Sequence, residues 1–309
     1  MAGCAFDRPL LSNVLPPLLL LECVLGMLGN GGALWIFCFH VKPWKSSTVF
    51  LFNLALADFL LIVILPFRAV YYLRELDWIF GDAFCRISLF MLAMNRGGSI
   101  FFLTAVAVDR YLRVVHPHHP INSMAVSRGA CVAIFVWVLN ISLTARLLTE
   151  SHQNSTHCES FGGSSDWYHS VFLLEFAIPL VIILFCTARV MAQLCQKRLS
   201  KDARIRRALW CLSAVMVTFV VCFLPSNAAL LLIWAKTLGG GAGCDKPVST
   251  AFFIAISLTY LNSTLDPVVY YFSSPAFKRI YRKATRPSLW GKEAPAATVD
   301  MDGTRDSKV

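Results

Sequence analysis

The residues best placed to do chemistry here are ionisable side chains within apolar runs. A charge in hydrocarbon is costly and is by default a functional candidate. Arg96, within Met94-Asn95-Arg96-Gly97-Gly98, is the most informative of them. A buried guanidinium needs an anion, and it grips a carboxylate through two parallel hydrogen bonds that are strong in a low dielectric. No acid obviously faces it from the upper halves of the other apolar runs, Glu175 apart. Two readings follow. One is a structural pair with Glu175; the other, which we favour on the sequence, is an anchor for a carboxylic acid from outside. Asp109-Arg110-Tyr111 closes the same run, about 20 Å further along an ideal helix. Asp109 is the local partner for Arg110. Asn30, Asp58, Ser99, Asn262, Ser263 and Asp266 can converge between helices as a polar cluster able to hold water or a sodium ion. Pro179, Pro225 and Pro267 free backbone groups and kink helices, which provides places where packing can take two arrangements.

These side chains need helices in a bilayer to position them. Of 309 residues, 57% are hydrophobic and 15% charged, against about 25% charged in a typical soluble domain. A spanning helix needs about 20 apolar residues. Such runs fall near 14–39, 48–72, 84–108, 129–149, 168–194, 208–235 and 249–272, with an amphipathic stretch from Pro275 to Arg286. The expected architecture is an all-α membrane protein: a seven-transmembrane helix bundle with a short amphipathic cytoplasmic helix, spanning 1–286. A disordered cytoplasmic tail, 287–309, follows it. Met1 to Asn13 lacks the cationic start of a signal peptide.

Loop charge sets the orientation. Lys42, Lys45, Arg110, Arg113, Lys197, Arg198, Arg206, Arg207, Lys278 and Arg279 lie on one side, whereas the opposite loops mix signs. The positive-inside bias puts the N-terminus outside and explains the net charge of +10 without nucleic acid. The sequon at Asn154 then lies outside, where glycosylation is feasible; Asn140 and Asn262 head sequons within spans, out of reach. Of the eleven cysteines, Cys4, Cys85, Cys158 and Cys244 fall outside. An even number in an oxidising compartment suggests two disulfides, with connectivity open.

Asn30, Leu54-Ala55-Leu56-Ala57-Asp58, Asp109-Arg110-Tyr111, Trp137, Pro179, Cys222-Phe223-Leu224-Pro225 and Asn262-Ser263-Thr264-Leu265-Asp266-Pro267-Val268-Val269-Tyr270 occur in the order and spacing of one family. Along nearly its whole length the chain resembles the rhodopsin-like G-protein-coupled receptors. The resemblance implies a switch built from Asp109, Arg110, Tyr111, Phe223, Pro225, Asp266, Pro267 and Tyr270. It also implies a Cys85–Cys158 staple over a ligand pocket, an arrestin partner and a place in the plasma membrane. Cys4 with Cys244 would tie the N-terminus to the third extracellular loop. The chain departs from the pattern in Phe223 for the sixth-span tryptophan, Asp266 for the asparagine before Pro267, and Thr187 for the fifth-span tyrosine. No acid stands near Ile205, and Asp202 is the nearest.

Trp35-Ile36-Phe37-Cys38-Phe39-His40, Ala93-Met94-Asn95-Arg96, Val114-Val115-His116-Pro117-His118-His119 and Val268 to Pro275 narrow the resemblance to the hydroxycarboxylic acid receptors. Pro66-Phe67-Arg68 and Cys158-Glu159-Ser160-Phe161 look most like the lactate-receptor branch. The resemblance implies that Arg96, Arg68, Glu159 and Thr259 line a site for lactate or a related hydroxy acid. It also implies an inhibitory heterotrimeric G protein that lowers cyclic AMP. That branch's sixth-span arginine and tyrosine are absent, with Leu230 and Phe223 in their places. The oxo- and hydroxy-eicosanoid receptors share the arginine, and a wall of Leu230, Leu231 and Leu232 would suit their longer acids. A transporter or channel is the alternative of another class; it would show repeats and broken helices, and none is visible. No paired catalytic set argues for an enzyme. Asp306-Ser307-Lys308-Val309 ends in a pattern that PDZ domains capture by strand addition.

Overall fold

The computed structural model describes residues 7–119, 126–149, 157–159, 166–196, 203–238 and 246–284. Its helices are α1 (Arg8–Phe39), α2 (Ser46–Leu73), α3 (Asp82–Val115), α4 (Val126–Thr144), α5 (Asp166–Gln196), α6 (Ala203–Thr218), α7 (Leu224–Leu238), α8 (Lys246–Ser273) and α9 (Pro275–Ala284). A π-helical stretch, Phe219–Phe223, joins α6 to α7 as one span, so among the described residues seven helical stretches are long and apolar enough to cross a membrane. No strand occurs among the described residues. Helices are the expected solution, since a spanning helix satisfies its own backbone where there is no water.

Helix ends follow local chemistry that apolar runs do not register. The first helix begins well before position 14 because Asp7 caps it, accepting from the Leu10 N–H at 3.2 Å. The Asp7 N–H donates to Thr250 Oγ at 2.9 Å and ties this end to α8. The π stretch lies just before Pro225, which has no N–H to donate and whose ring crowds the preceding turn. There the Leu224 N–H reaches back to the Phe219 carbonyl, which widens the helix by one residue at that point.

The sides of the bundle face lipid, with Ile134, Phe135, Val138, Ile178, Val181 and Phe185 exposed on α4 and α5. Inside, α3 packs against α2, α4, α5 and α6. On the other side α1 lies against α2 and α8. That approach needs Gly29, because a Cβ there would come within 2.7 Å of Pro267 Cγ. Bulk at Gly29 would push α1 off the proline kink of α8.

Candidate ligand cavity and signalling core

Arg96 is 6% exposed and points from α3 into a cavity at the end of the bundle where α1 and α3 begin. Its guanidinium pairs with the Glu175 carboxylate of α5. It also donates to the Phe172 carbonyl at 3.2 Å and Asn227 Oδ1 at 3.4 Å, and lies over the Phe172 ring, 3.4 Å from its centroid. The expectation of a cation with no facing acid is therefore corrected. Glu175 sits on the α5 face that also carries the buried Phe172, Phe176 and Pro179 and is turned to α3, while Leu174, Ile178 and Val181 are exposed on the other side.

Arg68 of α2 is 2% exposed and lines the same cavity. It donates to the Cys158 carbonyl at 2.7 Å, to the Tyr72 hydroxyl at 3.3 Å and to Glu159 Oε1 at 3.4 Å. Burial pushes the Glu159 carboxyl above the ordinary carboxylate range, while the neighbouring Arg68 guanidinium pulls the other way. The Cys85–Cys158 disulfide, with Cα atoms 5.7 Å apart, holds this segment against the start of α3. Thr259 of α8 completes the expected set, its hydroxyl donating to the Ile256 carbonyl at 2.6 Å. All four residues singled out for ligand thus line one cavity of about 60 Å³, room for a compact solute. Phe172, Phe252, Phe253 and Tyr260 supply its aromatic wall and were not singled out from the sequence. Phe172, at i−3 from Glu175, was findable by helical spacing once α5 had been oriented. The leucine wall is also corrected. Leu230 is buried, but Leu231 and Leu232 are more than half exposed on the lipid side.

Below the cavity the polar cluster forms as expected. Asp58 accepts from Asn95 Nδ2 at 3.1 Å, Ser99 Oγ at 3.3 Å and Ser263 Oγ at 3.0 Å. The Tyr270 hydroxyl lies 2.9 Å from Asn30 Oδ1 and 3.0 Å from Asp58 Oδ2, and its single proton serves one at a time. Asn30 Nδ2 donates to the Ser263 carbonyl at 2.7 Å, and Asn262 Nδ2 to Asp266 Oδ2 at 3.0 Å. Asn262 Oδ1 and Asp266 Oδ1 are buried acceptors without a hydrogen-bond donor among the described residues. Two orphaned oxygens beside a buried carboxylate are the donor set a hard cation takes, so the cluster fits a sodium ion. Asn95, one helical turn before Ser99, was missed although its spacing marks it.

At the opposite end of the bundle, where α3 ends, Asp109 gathers three donors: Arg110 at 2.7 Å, Arg113 at 2.9 Å and the Ser47 hydroxyl at 2.8 Å. Arg110, Arg113, Arg207 and Lys45 border a cavity of about 640 Å³ that opens between α2, α3, α6 and α8. The Tyr111 hydroxyl is 3.0 Å from His116 Nε2, and Phe223 packs edge-on against Phe219. Cys4, Cys244, Asn154, Asp202 and the tail lie outside the described residues.

Residues 29–270 match the model of the 7 transmembrane receptor (rhodopsin family). The chain belongs to that family. The receptor is 50% identical to human hydroxycarboxylic acid receptor 2, over 99% of this chain and 86% of the relative. It is 50% identical to mouse hydroxycarboxylic acid receptor 1, over 93% and 85% of the two chains. It is 41% identical to human oxoeicosanoid receptor 1, over 87% and 71%. Overall identity does not separate the hydroxycarboxylic acid branches, so any choice between them rests on the cavity.

Proposed function

We propose that the receptor is a ligand-gated switch, not an enzyme, opened by a small hydroxycarboxylic acid whose carboxylate is held by Arg96. The observation that carries this reading is the cavity itself: two buried arginines from different helices, Thr259, and aromatic walls around a space of about 60 Å³. Lactate has few heavy atoms, and a millimolar affinity needs only about 4 kcal/mol. One buried Arg–carboxylate contact with a hydroxyl contact at Thr259 or Glu159 supports that. The names of the hydroxycarboxylic acid relatives agree with this class. The basic cytoplasmic cavity around Arg110 would take an inhibitory heterotrimeric G protein and then arrestin, with the N-terminus outside at the plasma membrane. A sodium ion at Asp58 would favour the resting packing, and Val309 would dock the tail on a PDZ domain.

A longer oxo- or hydroxy-acid is the second reading, and one observation favours it. Leu143, Val171 and Glu175 line both the Arg96 cavity and an apolar groove of about 700 Å³ between α3, α4 and α5. An acyl chain leaving the cavity there gains about 25 cal/mol per Å² buried. Cyclic AMP and nucleotide exchange measured across lactate, 3-hydroxybutyrate, medium-chain hydroxy acids and oxo-eicosanoids separate the two. Compact acids are expected to act, and Arg96→Ala to abolish the response with surface expression kept. An unchanged dose–response in Arg96→Ala would remove the anchor.

A further inference from the structure

The anchor of the cavity is already occupied by a carboxylate of the protein. Glu175 reaches Arg96 across the gap between α5 and α3, and Gly97 leaves the room for it. A Cβ at Gly97 would overlap both Glu175 Oε1 and Asn140 Oδ1, so these two oxygens converge on the space above one glycine. Asn140 is fully buried, and its amide is oriented by donating from Nδ2 to the Met94 carbonyl at 2.7 Å. Its Oδ1 is left without a hydrogen-bond donor among the described residues. An acceptor oxygen facing a carboxylate oxygen is unfavourable; while Arg96 neutralises the Glu175 carboxylate that cost is offset, and once the pair breaks only a proton on the carboxyl can relieve it.

We propose that Glu175 is an internal competitor for the ligand anchor, and that an incoming carboxylate displaces it from Arg96 with uptake of one proton. This rests on the carboxylate reading of the cavity. The balance is simple. The ligand carboxylate replaces the Glu175 carboxylate on the guanidinium, the released Glu175 takes a proton from water, and the new O–H donates to Asn140 Oδ1. A buried carboxylate that loses its counter-ion and stays ionised is strongly disfavoured, so protonation accompanies release. The charged groups around the exchange are few among the described residues. Arg96 faces Glu175 from α3, α4 presents the neutral Asn140, and α7 presents the neutral Asn227. Arg68 and Glu159 line the same cavity and are paired with each other.

The sign of the linkage follows. Because binding takes up a proton, affinity falls as pH rises, by up to about tenfold per pH unit for one proton. The competitor also sets specificity: an acid must offer Arg96 more than Glu175 does, through its hydroxyl or its chain.

The test uses full-length receptor in lipid nanodiscs with its G protein, and lactate and 3-hydroxyoctanoate as probes. Nucleotide exchange is followed from mildly acidic to mildly alkaline pH. Wild type should need up to roughly tenfold more probe per unit of rising pH wherever Glu175 is ionised in the free receptor and protonated in the bound one. Glu175→Gln should respond at tenfold or more lower concentration, with the pH dependence flattened. Equal potency and equal pH slope in wild type and Glu175→Gln would overturn the exchange, while loss of response in Arg96→Ala would leave the anchor standing. Response retained in Arg96→Ala would instead sink the carboxylate reading beneath it. Infrared difference spectra of wild type with carboxyl-labelled lactate give a readout that needs no variant to fold. A new protonated-carboxyl band from the protein on binding supports the proposal, and binding without one overturns it.

Discussion

Arg68 does two jobs with one guanidinium, and this makes a single-residue substitution informative. Its donors hold the Cys158 carbonyl at 2.7 Å while also meeting Glu159 and the Tyr72 hydroxyl, a fork that a lysine ammonium cannot reproduce. Arg68→Lys keeps the charge and loses the geometry. Hydrogen bonds to charged groups contribute about 1.5–3 kcal/mol each. The variant should therefore need about tenfold or more acid for half-maximal response, with a lowered melting temperature in detergent. An unchanged midpoint and melting temperature would mean that charge alone matters at this position. The same residue shows what the sequence concealed. Arg96 was legible as a ligand candidate from its cost in hydrocarbon, and Arg68 only through the family resemblance. Whether Glu175 actually meets Arg96 stayed open between two readings, because which face of α5 carries Glu175 depends on how the helices are rotated in the bundle.

At the scale of elements, the spans were legible because apolar runs of membrane length have few other uses. Their ends and interruptions were less so. Asp7 extends α1 through polar residues, and the π stretch at Phe219–Phe223 answers a missing proline N–H that no hydropathy window detects. Residues 157–159, over the cavity, are pinned at several places besides the Glu159–Arg68 pair. Cys158 is bonded to Cys85, its carbonyl accepts from Arg68, and His157 Nδ1 lies 2.9 Å from the Leu76 carbonyl. Cys158→Ser removes the covalent pin, a loss of about 2–5 kcal/mol in small secreted domains. It should lower surface delivery and thermal stability. Because the disulfide and Arg68 restrain the same residue, the effects of Cys158→Ser and Arg68→Lys should not add. A double variant whose loss of melting temperature equals the sum of the singles would show that the two pins act independently.

Across the whole molecule, a small cavity at one end and a large basic one at the other are joined by the Asp58 cluster and by the widened turn ahead of Pro225. A signal crosses only if the bundle has two packings that both ends bias. The candidate restraint on a resting packing is at Asp109. It sits at the end of α3, its side chain 11% exposed, and accepts from Arg110, Arg113 and the Ser47 hydroxyl together. Among the described residues Asp109 is the acid paired with Arg110, so a restraint that could have linked α3 to α6 instead lies within α3 and on α2. Asp109→Asn keeps the shape and removes the charge that gathers these donors. Losing even one charge-assisted contact, about 1.5 kcal/mol, shifts a two-state equilibrium roughly tenfold. Ligand-independent nucleotide exchange should therefore rise several-fold to tenfold, and the response to added acid should shrink as a fraction of the total. The measurement is basal exchange per receptor at matched surface density, in wild type, Asp109→Asn and Ser47→Ala. Ser47→Ala removes one neutral donor and should raise exchange by much less. Basal exchange in Asp109→Asn no higher than wild type would mean that α6 is held by contacts elsewhere and that the Arg110 pair is a consequence of the resting packing, not its cause.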